Sequence, residues 1–471
     1  MGPLDAARLS LEHNLGLKVS KISRDEKEGL LTKAYGKFDW TASLSSQYDY
    51  SKTPSTTSLT ESNSSSADIS RVLAHAASLK KTFQFGTELE IPYSYSRTFS
   101  NSTSTLFNPA YEPSFGFKLS QPLLYSLTPS YFTKDLGLAH LNQKIAEQEH
   151  DEKINDTILK TMQLYWETIQ ASESLRIKKA SFENAEKNLE FAKAKRSVGR
   201  ASLTDLLEAQ AQTAKQNEAV LRAQDAFESK KAEFVLQTFG KIQDKAKNHE
   251  PLELDSRFPE IKVQDKPEKI LLKEALHTRP ESRKIALSIT KAEIERNAAN
   301  MDRLPKITLE GESTARGLAL NSSTAHKDVF NGQFTSWGAS ITVEQPVFAY
   351  AARGAYKTKA LRLEQEEIKR EQNARDVELE LRKYLRELQT EWQRVNALSK
   401  AAEAQAMAFE GKSAEYKIGR ISTFDLNRTL EAKEQAELDL LGARVALQNA
   451  NYRLKTAQGT LLRDLGIIEE K

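Results

Sequence analysis

The longest regular pattern in the chain has apolar residues stepping by four and three. Ile158, Met162, Tyr165 and Ile169 step by 4, 3, 4, and Phe182, Ala185, Leu189 and Ala192 step by 3, 4, 3. The run from Leu381 through Leu388, Trp392, Val395, Ala402, Ala406 and Phe409 to Tyr416 keeps these steps without a break. That period belongs to helices packed along one stripe, and the small residues in it let neighbours approach closely. It predicts helix from about Pro129 to Gly240, interrupted only at Gly199, and from about Arg353 to Gly459, interrupted only at Gly419. Two more helices are predicted, over residues 4–36 and from about Lys269 to Arg303.

Between the helices the texture changes. Residues 38–50 mix Ser and Thr with aromatics in partial alternation, which is strand character. Leu89, Ile91, Tyr93 and Tyr95 alternate with Glu88, Glu90, Ser94 and Ser96, the cleanest period-two run in the chain. Phe85-Gly86-Thr87 is a candidate tight turn joining that run to Val72–Phe83. Residues 115–124 form a further strand, closed by Pro122. In the second half, residues 306–313 and 334–346 are strands. The Ser-, Thr- and Asn-rich stretches 51–70 and 99–113, and the polar stretch 317–333, are expected to be loops.

The two helix interruptions are copies of one another. Val198-Gly199-Arg200-Ala201-Ser202-Leu203-Thr204-Asp205-Leu206 returns as Ile418-Gly419-Arg420-Ile421-Ser422-Thr423-Phe424-Asp425-Leu426, with Gly419 lying 220 residues after Gly199. A fixed-offset echo of this kind marks an internal duplication. Glycine supplies positive φ at a helix end, the following arginine meets the carbonyl end of the helix, and Ser followed three residues later by Asp is a capping signature for the next helix. Gln121-Pro122-Leu123 and Gln345-Pro346-Val347 are a second echo, 77 and 73 residues ahead of the glycines. The difference is about one helical turn and roughly preserves the inward face, and helices of this length run roughly 100 Å. The expected organisation is a first repeat over 1–240 (helix, strands within 38–124, helical hairpin turning at 199), a charged, proline-containing linker over 241–268, and a second repeat over 269–471 (helix, strands within 305–348, hairpin turning at 419).

Composition narrows the chemistry. The 471 residues are 28% charged and 39% hydrophobic, and the net charge is +3, which gives no argument for nucleic acid. Cysteine is absent, so disulfides, thiolate metal sites and cysteine nucleophiles are excluded. No run of 18 apolar residues offers a transmembrane helix, although a transmembrane β-barrel would pass that test unnoticed. No signal peptide is recognised, and Met1-Gly2-Pro3 reads as the start of a mature or engineered chain. The seven histidines, at 13, 75, 140, 150, 249, 277 and 326, show no metal-ligand spacing. Neither a phosphate loop nor a nucleophile elbow is present, so no catalytic residue, metal or cofactor is expected.

Taken in order, these elements resemble the TolC-like outer membrane efflux proteins, and the resemblance covers essentially the whole chain. His277-Thr278-Arg279-Pro280-Glu281 is similar to the family's Arg-Pro-Glu signature at the start of its second repeat. Asn14-Leu15-Gly16-Leu17 stands where the first repeat often has Asn-Pro-x-Leu, and Leu304-Pro305-Lys306-Ile307 resembles the entry into its strand. Phe38-Asp39-Trp40 holds that place in the first repeat without the proline. The resemblance implies a mainly α protein with membrane β structure: a trimeric β-barrel plus a long α-helical coiled-coil tunnel, built from two internal repeats per protomer. It implies a passive exit duct of a tripartite efflux or type I secretion system in the outer membrane of a Gram-negative bacterium, with the tunnel in the periplasm. The implied partners are two more copies of the chain, outer membrane lipid, a periplasmic adaptor protein at the helical tip, and an inner-membrane transporter reached through the adaptor.

The resemblance also assigns residues. Gly199, Arg200, Gly419 and Arg420 are candidates for adaptor contact, the plainer reading being that each glycine serves only its turn. Asp425 aligns with an aspartate that forms a constricting ring in the best-known family member, and Tyr416 with a tyrosine of its closed gate. A second acidic position one turn later is Arg428 here, able to pair with Asp425 at i, i+3. The plainer reading of Asp425 is a turn residue, because Asp205 has the same place in the first copy. Phe38, Trp40, Phe334 and Trp337 are candidates for an aromatic girdle at the membrane surface, or alternatively for packing where barrel meets tunnel. The family's usual count is two strands per repeat and twelve per barrel. This first repeat has room for four, with Val72–Phe83 and Thr87–Arg97 as an added pair: either the barrel has eighteen strands or the pair is an extension outside the membrane, and twelve is the favoured expectation. The rival from another class is a soluble coiled-coil scaffold with no transport role. Charge-rich heptads suit it, but the alternating strands and twin Gln-Pro junctions do not.

Overall fold

A computed structural model describes residues 1–54, 67–101, 105–199, 201–241, 254–261 and 267–467. The chain begins with helices α1 (Pro3–His13) and α2 (Leu15–Tyr35), followed by strands β1 (Trp40–Pro54), β2 (Ala67–Thr82), β3 (Glu88–Ser100) and β4 (Ala110–Pro122). Helices α3 (Pro129–Phe132), α4 (Lys134–Ser197), α5 (Leu203–Phe239), α6 (Glu268–Thr278) and α7 (Pro280–Met301) come next. The remainder is β5 (Lys306–Arg316), α8 (Ser322–Phe330), β6 (Phe334–Glu344), α9 (Tyr350–Lys417), α10 (Thr423–Gln458) and α11 (Leu461–Asp464). The chain divides into two compact units. One comprises residues 1–25, 145–286 and 368–471, and the other residues 26–144 and 287–367.

The first unit is helical. α4 and α9 are 64 and 68 residues long, about 96 and about 102 Å of helix. The predicted stripe of α4 is its core: Ile158, Met162, Tyr165 and Ile169 are buried, with Trp166, Phe234 of α5 and Val445 of α10 packed among them. A second cluster joins Val377, Leu381 and Leu388 of α9 to Leu447 and Leu454 of α10. Segment 254–261 is tied to this core. Tyr165 donates its hydroxyl to the carbonyls of Asp255 (2.9 Å) and Met1 (3.2 Å), and Phe258 stacks on Trp166 at 5.0 Å. Burial holds the Tyr165 hydroxyl well above the usual tyrosine range, the nearby Asp255 charge adding to it.

Two predicted helices are each broken in two. Asn14 ends α1 in an extended conformation, and its side-chain oxygen accepts the Leu17 amide at 3.2 Å, so it caps α2. Pro280 forces Arg279 to φ −65°, ψ 130°, which ends α6 and starts α7. The expected linker 241–268 falls mostly outside the described residues.

The second unit holds one antiparallel sheet in the order β1-β2-β3-β4-β5-β6. Its registers give it two unlike faces. Leu44, Leu79, Ile91, Leu119, Leu309 and Ile341 lie on one face, and Ser45, Ser78, Ser94, Ser114, Glu312 and Ser340 on the other. Strands β2 and β3 lie inside this sheet, bonded to neighbours on both sides, so the added pair of the first repeat belongs to the same sheet as the other four strands. The stretches expected as loops shrink accordingly: β1 reaches Pro54, β2 begins at Ala67, β3 reaches Ser100 and β4 begins at Ala110. The turn at Gly86 is tight, with Phe83 and Thr87 bonded across it at 2.8 Å and Gly86 at φ +87°.

The polar stretch 317–333 contains a helix, not only a loop. Asn321 caps α8 by accepting the Thr324 amide at 2.8 Å. Ala325 and Val329, one turn apart, bury the helix against the apolar face at Gly317, where a Cβ would overlap the Ala325 carbonyl oxygen. His326 reaches Tyr93 (2.9 Å) and stacks on Tyr95. Among the described residues no helix is long and apolar enough to cross a membrane.

Candidate docking tip and pore gate

The repeated motif builds the same turn twice. At the end of α4, Gly199 takes φ +73° and donates its amide to Arg196 at 2.9 Å. At the end of α9, Gly419 takes φ +77° and donates to Tyr416 at 3.0 Å. A Cβ on either glycine would meet nothing, so the turn needs glycine for its backbone conformation and not for space. In both copies the serine hydroxyl caps the next helix, and in the first copy the Ser202 amide also donates to the Asp205 carboxylate at 3.0 Å. Asp205 donates its amide to the Ser202 hydroxyl (3.0 Å), which donates to the Asp205 carboxylate (2.8 Å); Asp425 and Ser422 do the same at 3.1 and 2.7 Å. Arg420 returns its amide to the Glu415 carbonyl at 3.0 Å. Arg200 lies outside the described residues.

The carboxylate of Asp425 is therefore a capping group in this protomer, exposed and bonded to Ser422. Among the described residues no ion pair joins it to Arg428. Tyr416 is buried to 4% exposure, and its hydroxyl meets that of Thr423, itself 2% exposed, at 3.2 Å. Two residues that the sequence reading passed over pack against it. Lys195 of α4 donates to the Tyr416 carbonyl at 2.9 Å and sets its ammonium 4.2 Å from the Tyr416 ring and 4.7 Å from the Phe191 ring. Phe191 meets Tyr416 edge to face at 5.5 Å. This cluster joins the ends of the two hairpins. The local signal for it was an aromatic and a lysine at i, i+4 just before Gly199.

Further along, charged groups continue the stitching. Glu431 of α10 accepts from Lys215 (2.7 Å) and Gln212 (3.1 Å) of α5, and the Lys215 hydrogen bond holds its carboxyl below the usual range against the effect of burial. Lys178 of α4 pairs with Glu434 of α10, a largely buried carboxylate.

The four girdle candidates do not share one setting. Trp40 opens β1 on the apolar face, with the Lys81 ammonium 5.2 Å from its ring. Trp337 lies on the same face and is 82% exposed. Phe334 falls on the polar face, opposite Arg316, and Phe38 sits in a short 3-10 turn before β1. The apolar face carries other ring and cation pairs at the far ends of its strands, Arg71 with Tyr50 and Phe99, and Arg97 with Tyr111. The twin Gln-Pro junctions match in detail: Gln121 and Gln345 each turn their side-chain amide onto the carbonyl of the following proline, at 3.0 and 3.4 Å. Among the described residues no cluster of acidic or histidine side chains could hold a metal.

The chain matches a family model described as outer membrane efflux protein, over residues 85–233 and 271–460. No curated protein matches it. Among solved structures it is similar to the outer-membrane channel OprN, at TM-score 0.70 and 15% identity over 97% of this chain and 90% of that one. The CmeC outer membrane channel of Campylobacter jejuni gives TM-score 0.68 at 15% identity, over 98% and 86%. The open state of the MtrE outer membrane channel of Neisseria gonorrhoeae gives TM-score 0.65 at 15% identity, over 98% and 89%.

Proposed function

This chain belongs to the outer membrane efflux protein family, and from that premise we propose that it is the passive outer-membrane exit duct of a tripartite efflux or type I secretion system, working as a homotrimer. One observation carries the reading: a sheet with one apolar and one polar face, both edges unpaired among the described residues, in the same chain as two helical hairpins whose first arms are about 100 Å long. Leu44 and Trp337 are 84% and 82% exposed on the apolar face, a burden in water and an asset against lipid. A closed barrel satisfies every strand edge in a membrane. Copies pack through apolar stripes left bare on the helices, such as Leu15, Val19 and Ile22 on α2. A soluble scaffold explains neither the bare face nor the open edges.

On this reading the halves 1–240 and 269–471 are two copies of one plan joined by 241–268. Gly199, Arg200, Gly419 and Arg420 present the tip to a periplasmic adaptor. Tyr416, Asp425 and Arg428 form the gate region of the pore, with the Asp425 carboxylate switching between its cap and a ring of three. The chain does no chemistry, and an inner-membrane transporter supplies the energy. Phe38 and Trp40 lie at one rim of the sheet and Phe334 and Trp337 toward the opposite rim, so they serve the two different levels where barrel meets headgroups. Detergent-extracted protein from the outer-membrane fraction should migrate as a trimer unheated and as a monomer after boiling. Gly419→Trp should block export while leaving the trimer intact, and Asp425→Ala should raise single-channel conductance. A monomer that is indifferent to heat and absent from the membrane fraction would sink the duct.

A further inference from the structure

We infer that three copies close a barrel of eighteen strands, with the β2–β3 hairpin built into its wall. The inference rests on the trimeric reading above and adds to it the width of the exit. Each copy contributes six strands to one continuous ladder. β2 is bonded to β1 along its whole length, from Trp40 opposite Lys81 to Pro54 opposite Ala67, and β3 to β4 from Glu88 opposite Ser120 to Thr98 opposite Ala110. The hairpin also shares the two-faced character of the rest. Leu79 and Ile91 continue the apolar face, and Ser78 and Ser94 the polar one. A hairpin standing in water outside the barrel would have no use for that face.

The open edges fit a second copy. β6 (Phe334–Glu344) contains no proline and no lysine, and β1 has its one lysine and its one proline, Lys52 and Pro54, at the far end. Every residue of β1 and all but Gly338 of β6 is exposed. Natural sheet edges that must stay single are blunted with prolines, charges or bulges, whereas these edges carry such residues only at one end, Asp49, Lys52 and Pro54 in β1 and Glu344 in β6. Six strands running alternately up and down leave β6 of one copy antiparallel to β1 of the next, so the same ladder continues around the ring. With strands ~4.8 Å apart and tilted ~40°, eighteen strands give a backbone diameter of ~36 Å, against ~24 Å for twelve. Lining side chains take ~5 Å from each wall, half the spacing of packed sheets, leaving openings of ~26 and ~14 Å. A helix with its side chains is ~10–12 Å wide, so the wider exit passes paired helices or bulky conjugates where the narrower admits a single helix.

The chain has no cysteine, so pairs can be introduced cleanly. In outer membranes containing the full chain, Ser43→Cys with Ser78→Cys and Ser94→Cys with Ser114→Cys should each close within a copy, their hydroxyls lying 2.8 and 2.7 Å apart. Ser45→Cys combined in turn with Ser336→Cys, Ser340→Cys and Thr342→Cys should give cross-linked trimers on non-reducing gels for at least one pair. Cysteines in β1 that join Ser114→Cys or Ser120→Cys of β4 instead would place the hairpin outside and overturn the inference, leaving the trimer standing. Closure within copies with no product between copies would overturn the trimeric reading together with it. Electron microscopy of the unaltered trimer gives an independent answer: a barrel ~36 Å across supports eighteen strands, and one ~24 Å across refutes them.

Discussion

Lys195 holds the ends of two hairpins together, so replacing it should loosen the tip without unfolding the chain. The ammonium interacts with two rings and donates one hydrogen bond to a backbone carbonyl. A half-exposed cation over a ring contributes ~0.5–1 kcal/mol, and a hydrogen bond from a charged donor ~1.5–3 kcal/mol. These terms share one side chain and do not add in full, so Lys195→Met, which keeps the stem, should cost about 2 kcal/mol of local stability. That is about a thirty-fold rise in local opening. Amide exchange in residues 191–199 and 414–419 should accelerate by that factor, while amides around Tyr165 and Leu381 stay protected. Tyr416→Leu removes the ring beneath the ammonium but leaves the carbonyl that accepts from Lys195, so a double-mutant cycle should return a coupling of ~0.5–1 kcal/mol. Exchange within two-fold of the parent, or a coupling near zero, would refute the idea that this cluster secures the hairpin ends.

Other outcomes follow from the same geometry. Gly419→Ala should cost about 1–2 kcal/mol from the left-handed backbone alone, whereas Gly317→Ala should cost more because α8 must move; thermal melts of the two variants compare them directly. Ser202→Ala and Ser422→Ala should each lose about 1 kcal/mol in denaturant titrations, and by similar amounts, because each removes a hydroxyl with the same two bonds while the extra Ser202 amide bond survives the substitution. The depressed Glu431 carboxyl stabilises the folded state fully above the unfolded value of 4.5, and that contribution fades as pH falls through the lower folded value. The stability advantage of the parent over Glu431→Gln should therefore shrink on acidification below about pH 4.5, and a constant difference would show that Lys215 and Glu431 are not coupled. Trp337→Arg should lower trimer yield by an amount equivalent to ~1–4 kcal/mol depending on depth, while Ser336→Arg on the polar face should leave it nearly unchanged.

The long helices, both turns and their caps were legible because each leaves a local trace. A step of four and three marks α4 and α9, positive φ asks for glycine, and Ser-x-x-Asp announces the cap. Breaks inside otherwise periodic helices were harder. The apolar pattern runs through Asn14 and Arg279 unchanged, and only the cap at one and the following proline at the other stop the helix. α8 escaped because a nine-residue helix with two buried apolar positions hardly differs from a polar loop. The Lys195–Tyr416 contact joins residues 221 apart, and nothing in either segment names the other. The strands were read correctly one by one, but their order in the sheet depends on pairing partners that alternation alone does not identify. Of the girdle candidates, Phe334 shows the same limit: ring chemistry suggested the role, and register put it on the polar face.

An even number of strands has a consequence for how such a protein changes over time. β1 starts and β6 finishes at the same rim of the sheet, with both neighbouring chain segments leaving from that side. Strands can then be gained or lost only as hairpins, because a single added strand would carry the rest of the chain to the opposite side of the membrane. The β2–β3 hairpin is such a unit, turning at Gly86 with both of its ends at the far rim. On the proposed reading of a trimeric barrel, duplication or deletion of one hairpin in the gene would be felt three times in the assembled ring. Bore size thus becomes a heritable quantity that moves in coarse increments while every attachment point stays where it was.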